Sequence, residues 1–344
     1  IITGEASSRI GISLAAGDFN ADGKTDLAAG AYNYSAAAGR TYIFYNGSII
    51  TEDASGADII ISGEGGSSFG MALAIGDFNA DGKTDLAVGA SAYSTSTGRT
   101  YIFYNGSIIT EAATGADVII QGEATTNYFG RALSSGDLNA DGKTDLVVGS
   151  YGYSTNTGRT YIFYSGSITT ENASGADVII QGEASGSFGW AFATGDFNAD
   201  GKTDLAAGGY TTGLAYVFHN DGSIPTTAAT ADIRVADTAN DIGTALVAGD
   251  FNTDGRIDLV MGDPSSTGKI YFYETRENFA WQVQPVSGLR TSPNFSGQEM
   301  KITGESGTTG EFGNAFATGD FNADGKIDLA VGASGYSSST GRAY

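Results

Sequence analysis

Short apolar runs alternate with short polar ones along the whole chain, and none of the apolar runs is long enough to span a bilayer. The second repeat shows the order. Residues 69–77 (FGMALAIGD) form an apolar run that predicts a strand, and a polar nonapeptide follows. Residues 84–90 (TDLAVGA) are small, apolar and bounded by glycine, which predicts a second, buried strand. Residues 91–97 (SAYSTST) read as a polar loop, and 98–106 (GRTYIFYNG) alternate like a half-exposed third strand. After a longer connection (SIITEAATG), residues 116–123 (ADVIIQGE) predict a fourth strand.

The nonapeptide DFNADGKTD sets the period. Its six copies begin at Asp18, Asp77, Asp137, Asp196, Asp250 and Asp320, spaced 59, 60, 59, 54 and 70 residues apart. A period near 60 with four antiparallel strands per repeat predicts an all-β fold, a β-propeller of six four-stranded blades in one domain, 1–344. Residues 1–5 (IITGE) match the tail of a fourth strand, and residues 341–344 (GRAY) fall in a third strand. The expectation is that the N-terminal strand closes the last blade, leaving no open sheet edge. The absence of an initiator Met and of a signal peptide at Ile1 reads as a processed or excised chain.

Positions 1, 3, 5 and 9 of every copy carry oxygen, and position 6 is always Gly. Alternating oxygen donors with a Gly after the third describe a chain curling around a hard cation. Position 7 is Lys or Arg, so only its carbonyl can serve. The candidate calcium ligands are Asp18, Asn20, Asp22, Lys24 and Asp26 in the first copy, and Asp77, Asn79, Asp81, Lys83 and Asp85 in the second. The third has Asp137, Asn139, Asp141, Lys143 and Asp145; the fourth, Asp196, Asn198, Asp200, Lys202 and Asp204. The fifth has Asp250, Asn252, Asp254, Arg256 and Asp258; the sixth, Asp320, Asn322, Asp324, Lys326 and Asp328. The expected cofactor is therefore about six Ca²⁺, one per repeat. An EF-hand needs Glu at position 12 and flanking helices, but position 12 here is Ala29, Val88, Val148, Ala207, Met261 and Val331. The rival reading is a polar hairpin turn without metal. Six copies with the same four positions argue against it.

Charge sharpens this picture. The chain has 39 acidic and 17 basic residues, a formal net charge of −22, and eighteen of the acids are loop aspartates. Six bound Ca²⁺ would leave −10, which still argues against nucleic acid or an anionic membrane as partner. With no Cys and His219 as the only histidine, zinc and copper lack soft ligands. Calcium loops of this kind point to the outside of a cell or its surface. Gly (52) with few Pro (4) and 41% hydrophobic residues suits tightly turned β structure rather than disorder. Sequons at Asn33, Asn46, Asn105, Asn172 and Asn294 would matter only in a eukaryote, and chance explains them in so Asn- and Ser-rich a chain.

Two repeats deviate. The fourth has a short second loop (209–213) and carries His219, read as structural. The fifth has an insertion at about 275–298 that holds Arg276, Trp281, Pro285, Arg290 and Pro293, read as a tolerated surface loop ahead of a partner-binding one.

Phe-Gly at Phe69, Phe129, Phe188 and Phe312, with Ile-Gly at Ile10 and Ile242, precedes each loop. GAY, GAS, GSY, GGY, GDP and GAS follow it. This order resembles FG-GAP repeats, and the whole chain resembles the propeller head of integrin α subunits. It is similar also to bacterial surface propellers and to glycosylphosphatidylinositol-specific phospholipase D. The resemblance implies calcium loops in hairpins between first and second strands, and ligand binding on the opposite face. Integrin heads differ in having seven blades, with calcium in only some. The near-identity of the first three repeats points to recent duplication, which fits a microbial surface protein.

The expected function is a calcium-binding adhesion or ligand-binding module, with a protein or glycan ligand on the face opposite the calcium loops. Tyr32, Tyr34, Tyr93, Tyr151, Tyr153, Tyr210 and Tyr336 would stand there among Ser and Thr. Recurring Glu5, Glu64, Glu123, Glu183 and Glu305, in the fourth-to-first loops, are read as acceptors of backbone hydrogen bonds ahead of a lining for the channel mouth. The alternative is a structural subunit of an extracellular sheath, tube or filament, so self-assembly stays open. A carbohydrate-active enzyme ranks last, because the acids repeat blade by blade whereas catalysis needs asymmetry. Its carboxylate would have to be among Asp237, Asp241, Asp263, Glu274, Glu277 and Glu299. The expectation is of no enzymatic activity.

Overall fold

The computed structural model describes residues 2–47, 52–236, 242–264, 268–273, 301–303, 311–333 and 342–344. Contacts divide the chain into two units, Ile1–Gln181 and Gly182–Tyr344. The insertion expected at about 275–298 lies outside the described residues.

Three antiparallel sheets build the first unit. The first joins Ser13–Gly17, Asp26–Ala31, Arg40–Phe44 and Ile59–Ser62 in that spatial order. The second joins Phe69–Gly76, Asp85–Ala90, Arg99–Phe103 and Val118–Gln121. The third joins Leu133–Gly136, Asp145–Ser150, Arg159–Phe163 and Val178–Gln181. The second unit repeats the plan twice, with Phe188–Gly195, Asp204–Gly209, Leu214–Phe218 and Ile233–Ala236, then Leu246–Gly249, Asp258–Asp263, Lys269–Tyr273 and Lys301–Thr303. Its last sheet shows three strands among the described residues, Phe312–Gly319, Asp328–Ala333 and Arg342–Ala343. Each sheet is a propeller blade in which sequence neighbours pair, as the strand pattern predicts.

The core lies between blades. Ile43, Ile59 and Ile61 of the first blade pack with Phe69, Leu86, Val88 and Phe103 of the second. Leu146, Val148 and Phe163 of the third repeat the arrangement against Ile102, Val118 and Ile120. A strand sandwiched this way is apolar on both faces, and all six residues of Asp85–Ala90 are buried. The same burial corrects the half-exposed third strand read from alternation. Thr100, Tyr101, Ile102 and Phe103 are all buried, because polar Thr100 sits inside with its apolar neighbours.

Two glycines set the spacing between blades. A Cβ on Gly30 would come within 2.0 Å of the Gly70 carbonyl oxygen of the next blade, and one on Gly89 within 2.0 Å of that of Gly130. The second unit repeats the arrangement, where a Cβ on Gly208 would come within 1.8 Å of the Gly243 carbonyl oxygen and one on Gly262 within 1.9 Å of that of Gly313. Only a residue without a side chain permits so close a backbone approach.

One element escaped the sequence reading. The connection between third and fourth strands contains a two-residue strand that pairs in parallel with the fourth strand of the preceding blade. Glu111–Ala112 adds to Ile59–Ser62 this way, and Glu171–Asn172 adds to Val118–Gln121. Thr110 Oγ1 accepts from the Ile60 N–H at 3.1 Å, and Thr170 Oγ1 from the Ile119 N–H at 3.2 Å. These clasps cover sheet edges that would otherwise offer unpaired backbone groups. Glu52–Asp53 pairs with Ile2–Thr3 in the same sense, which puts the leading strand in the place of a fourth strand.

Deleting residues 1–5 removes that pairing together with Glu5, to which Arg40 and Tyr42 donate. The expected loss is about 2–4 kcal/mol of unfolding free energy, from orphaned polar groups and a broken charge pair. It is read from the urea midpoint, and an unchanged midpoint would show that this strand carries no weight.

Candidate metal centres

The six nonapeptides fold alike. In the first, the Asp22 N–H donates to Asp18 Oδ1 and to Asn20 Oδ1, the Gly23 N–H to Asp18 Oδ2, and the Lys24 N–H to Asp22 Oδ1. The same four bonds recur in all six loops, between 2.7 and 3.1 Å. The Gly at position 6 is left-handed, with φ of 82° in Gly23 and 83° in Gly82. Position 4 is left-handed as well, at Ala21, Ala80, Ala140, Ala199, Thr253 and Ala323, a demand on the backbone that the sequence showed only as a run of small residues.

Position 9 differs from the others because it is buried in the first five loops, at Asp26, Asp85, Asp145, Asp204 and Asp258, and half-buried at Asp328 in the sixth. Asp85 Oδ2 accepts from the Phe78 N–H at 2.9 Å, and Oδ1 from the Asn105 N–H at 2.8 Å. Asp26, Asp145 and Asp204 hold the corresponding pairs of amides. Burial pushes the Asp85 carboxyl up to about 6; its two amide hydrogen bonds oppose the rise, and the charges of Asp81 and Asp77 add to it. Asp145 is raised to about 6 by the same causes. Asp204 is also raised to about 6 by burial, with His219 acting against the rise.

The donor set suits a hard cation. Carboxylate and amide oxygens at positions 1, 3 and 5 share one exposed turn with a buried carboxylate at position 9. Each oxygen that holds an amide keeps a second lone pair. In the second and third loops the aspartates at positions 1 and 5 already act electrostatically on the one at position 9. Among the described residues, no three Asp, Glu or His side chains converge closely enough to grip a metal by themselves. An ion would have to draw the loop oxygens inward.

The recurring glutamates do something other than expected. Glu64 accepts from Arg99 Nη1 at 3.0 Å and from the Tyr101 hydroxyl at 2.6 Å, both on the third strand of the following blade. Glu123 does the same with Arg159 and Tyr161, and Glu5 with Arg40 and Tyr42. In the fourth blade Tyr216 keeps its place, but the arginine is Arg234, directly across from it on the fourth strand. These side chains replace the backbone donors read from sequence. Glu305 lies outside the described residues. Glu64→Ala is expected to cost about 1.5–3 kcal/mol, the usual worth of hydrogen bonds to a charged group. Glu64→Gln should recover part of it in the same denaturation experiment, and equal midpoints for all three proteins would refute the role.

The tyrosines divide into two sets. Tyr34, Tyr93 and Tyr153 lie over the guanidinium groups of Arg40, Arg99 and Arg159, at 3.7, 3.7 and 3.6 Å, and belong to these latches. Tyr32 accepts from Arg9, and Tyr151 stacks on Tyr128 at 4.8 Å. Arg131 sits close enough to feel both Tyr151 and Tyr32. In the second unit Tyr210 stacks on Trp190 at 4.5 Å. This second set stands at the start of the first strand, the end away from the nonapeptide. Tyr336 lies outside the described residues.

Other candidates resolve into structure. The side-chain nitrogens of Asn33, Asn105 and Asn172 all donate to backbone carbonyls, which explains three sequons without a glycan. The buried Asp263 lies 3.6 Å from Lys269 Nζ. Asp237, Asp241, Glu274, Glu277, Glu299 and Asn294 lie outside the described residues. The His219 N–H donates to Asp232.

The FG-GAP repeat family matches residues 10–44, 69–103, 129–163 and 312–344, and an FG-GAP-like repeat matches 196–261. The chain is an FG-GAP repeat protein. Its glycine contacts give the motif a physical meaning, since the Gly of four Gly-Ala-Pro-like sites, Gly30, Gly89, Gly208 and Gly262, lies against the backbone of the Gly in the next Phe-Gly or Ile-Gly.

This FG-GAP protein is 37% identical to bovine phosphatidylinositol-glycan-specific phospholipase D over 160 residues, 41% of this chain and 19% of the relative. It is 30% identical to Drosophila melanogaster integrin alpha-PS2 over 261 residues, 69% of this chain and 17% of that one. It is 43% identical to mouse integrin alpha-M over 89 residues, 25% and 8%. The chain thus spans less than a fifth of the length of these relatives. The phospholipases correct the expectation of no enzymatic activity, because the repeat is shared with chains named as enzymes. Acids that recur blade by blade describe the repeat shell, and they say nothing of what a longer chain does around it. Among the described residues, no helix is long and apolar enough to cross a membrane.

Proposed function

We propose that this FG-GAP protein is a calcium-stabilised binding module, working outside the cell or at its surface on a protein or glycan ligand. The observation that carries the metal half is the buried position-nine carboxylate. Asp85 and Asp145 are desolvated beside two like charges each, an arrangement that a cation relieves. Asp18, Asn20, Asp22 and Asp26 with the Lys24 carbonyl would hold the ion in the first loop, and the corresponding residues would hold it in the other five. Bound calcium would supply positive charge and hold the loop oxygens in a fixed shell.

Arg9, Tyr32, Tyr128, Arg131 and Tyr151 support the binding half. They group together at the far end of the first strand, where rigid aromatic faces sit beside guanidinium donors. Relatives named as integrin α subunits favour the same role. The test is a screen of glycan and protein arrays with the whole chain, in calcium and in EGTA. The expected result is saturable binding in calcium that falls at least about tenfold in Tyr32→Ala and Tyr151→Ala. Binding that neither substitution alters would move the ligand site elsewhere.

A further inference from the structure

One residue joins each loop of the first unit to the next. Asn105 lies two positions after the third strand of the second blade. Its N–H donates to Asp85 Oδ1 at 2.8 Å, the position-nine carboxylate of its own blade. Its side-chain nitrogen donates to the Asp18 carbonyl at 2.9 Å, the position-one residue of the first blade's loop. A second bond from that nitrogen reaches the Thr84 carbonyl at 3.1 Å. Ser165 repeats the link one blade on. Its N–H donates to Asp145 Oδ1 at 3.0 Å and its hydroxyl to the Asp77 carbonyl at 3.0 Å. The Gly166 N–H adds a weaker bond to the Phe78 carbonyl at 3.3 Å. Asn105 and Ser165 are buried, so water does not compete for these bonds.

We infer that cation binding at the first, second and third loops is positively coupled through Asn105 and Ser165, an inference that rests on the calcium reading of the loops. Asp18 and Asp85 offer oxygens to different ions yet share one neighbour. Drawing Asp18 onto an ion fixes its backbone, which holds Asn105, which orients Asp85. Part of the ordering cost of the second loop is then already met, so its ion binds more tightly. Thermodynamic linkage makes the effect equal in both directions. Asp77 and Asp145 stand in the same relation through Ser165, so the three loops form one chain of pairwise links.

The test titrates the whole chain with calcium chloride. Native mass spectrometry counts ions, and the amide signals of Gly23, Gly82 and Gly142 report each loop separately by NMR. Asp81→Ala, which cripples the second loop, is expected to weaken binding at the first and third loops by about five- to tenfold. Ser165→Ala should keep the ion count and reduce the effect on the third loop to about twofold or less. Asn105→Ala should do so for the first loop. If Asn105→Ala fails to fold, the serine variant decides, because it deletes a single hydroxyl. Independent filling of the loops in the unaltered chain overturns the coupling while leaving calcium binding intact. So does an Asp81→Ala effect that persists in full when the link residue is removed. A chain that binds no calcium at all overturns the calcium reading, and the coupling with it.

Discussion

Removing calcium with EGTA is expected to lower the melting temperature of the chain by on the order of 15 °C. Each loop brings three aspartates into one hairpin, and without a cation their repulsion opposes the joining of the first two strands. Extracellular calcium modules bind with Kd of about 10⁻⁴ to 10⁻³ M. At tenfold excess over its own Kd one site contributes about 1.4 kcal/mol, and six sites filled to that extent about 8 kcal/mol. That rivals the whole stability of an ordinary domain, roughly 5–15 kcal/mol. At about 2 °C per kcal/mol for a large domain, the stated shift follows. Magnesium should substitute poorly, since it demands a tight octahedral shell and gives up water reluctantly. Thermal melts in calcium, magnesium and EGTA decide the point, and superimposable curves would reduce the nonapeptides to plain turns.

The second large effect needs no metal. Asp85→Ala leaves the Phe78 and Asn105 N–H groups buried without an acceptor. At about 1–3 kcal/mol for each orphaned donor, the loss is about 2–6 kcal/mol. Urea denaturation in EGTA measures it with calcium out of the way. Asp85→Asn should recover roughly half, because an amide offers one acceptor oxygen where the carboxylate offers two. Asp81→Ala is the contrast. Asp81 is exposed, so in EGTA its loss should cost under about 0.5 kcal/mol, and a larger penalty should emerge only in calcium. Equal penalties for Asp81 and Asp85 in EGTA would mean that the loop carboxylates serve the hairpin alone.

The order of the strands was readable from the chain because it is local information. Phe69–Gly76, Asp85–Ala90, Arg99–Phe103 and Val118–Gln121 each carry their own apolar run, and each run pairs with the next one along the chain. The loop chemistry was equally local, since positions 1 to 9 fold on themselves. What escaped was every contact between segments distant in sequence. Glu64 and Tyr101 lie 37 residues apart, and Asn105 and Asp18 lie 87 apart. The added strand Glu111–Ala112 has no apolar signature, because it is held by its backbone against Ile59–Ser62. The third strand reads as half exposed in one dimension and is buried in three.

By itself, then, the sequence determined which stretches become strands and where oxygen donors cluster, because a strand's period and a turn's curl act over fewer than ten residues. Tertiary structure alone decided which carboxylates meet side chains of the next blade and which meet only backbone amides. A Glu that meets an Arg and a Tyr of the following blade is satisfied there, whereas an Asp buried among other aspartates finds only backbone amides, and nothing within either residue's own segment tells the two apart.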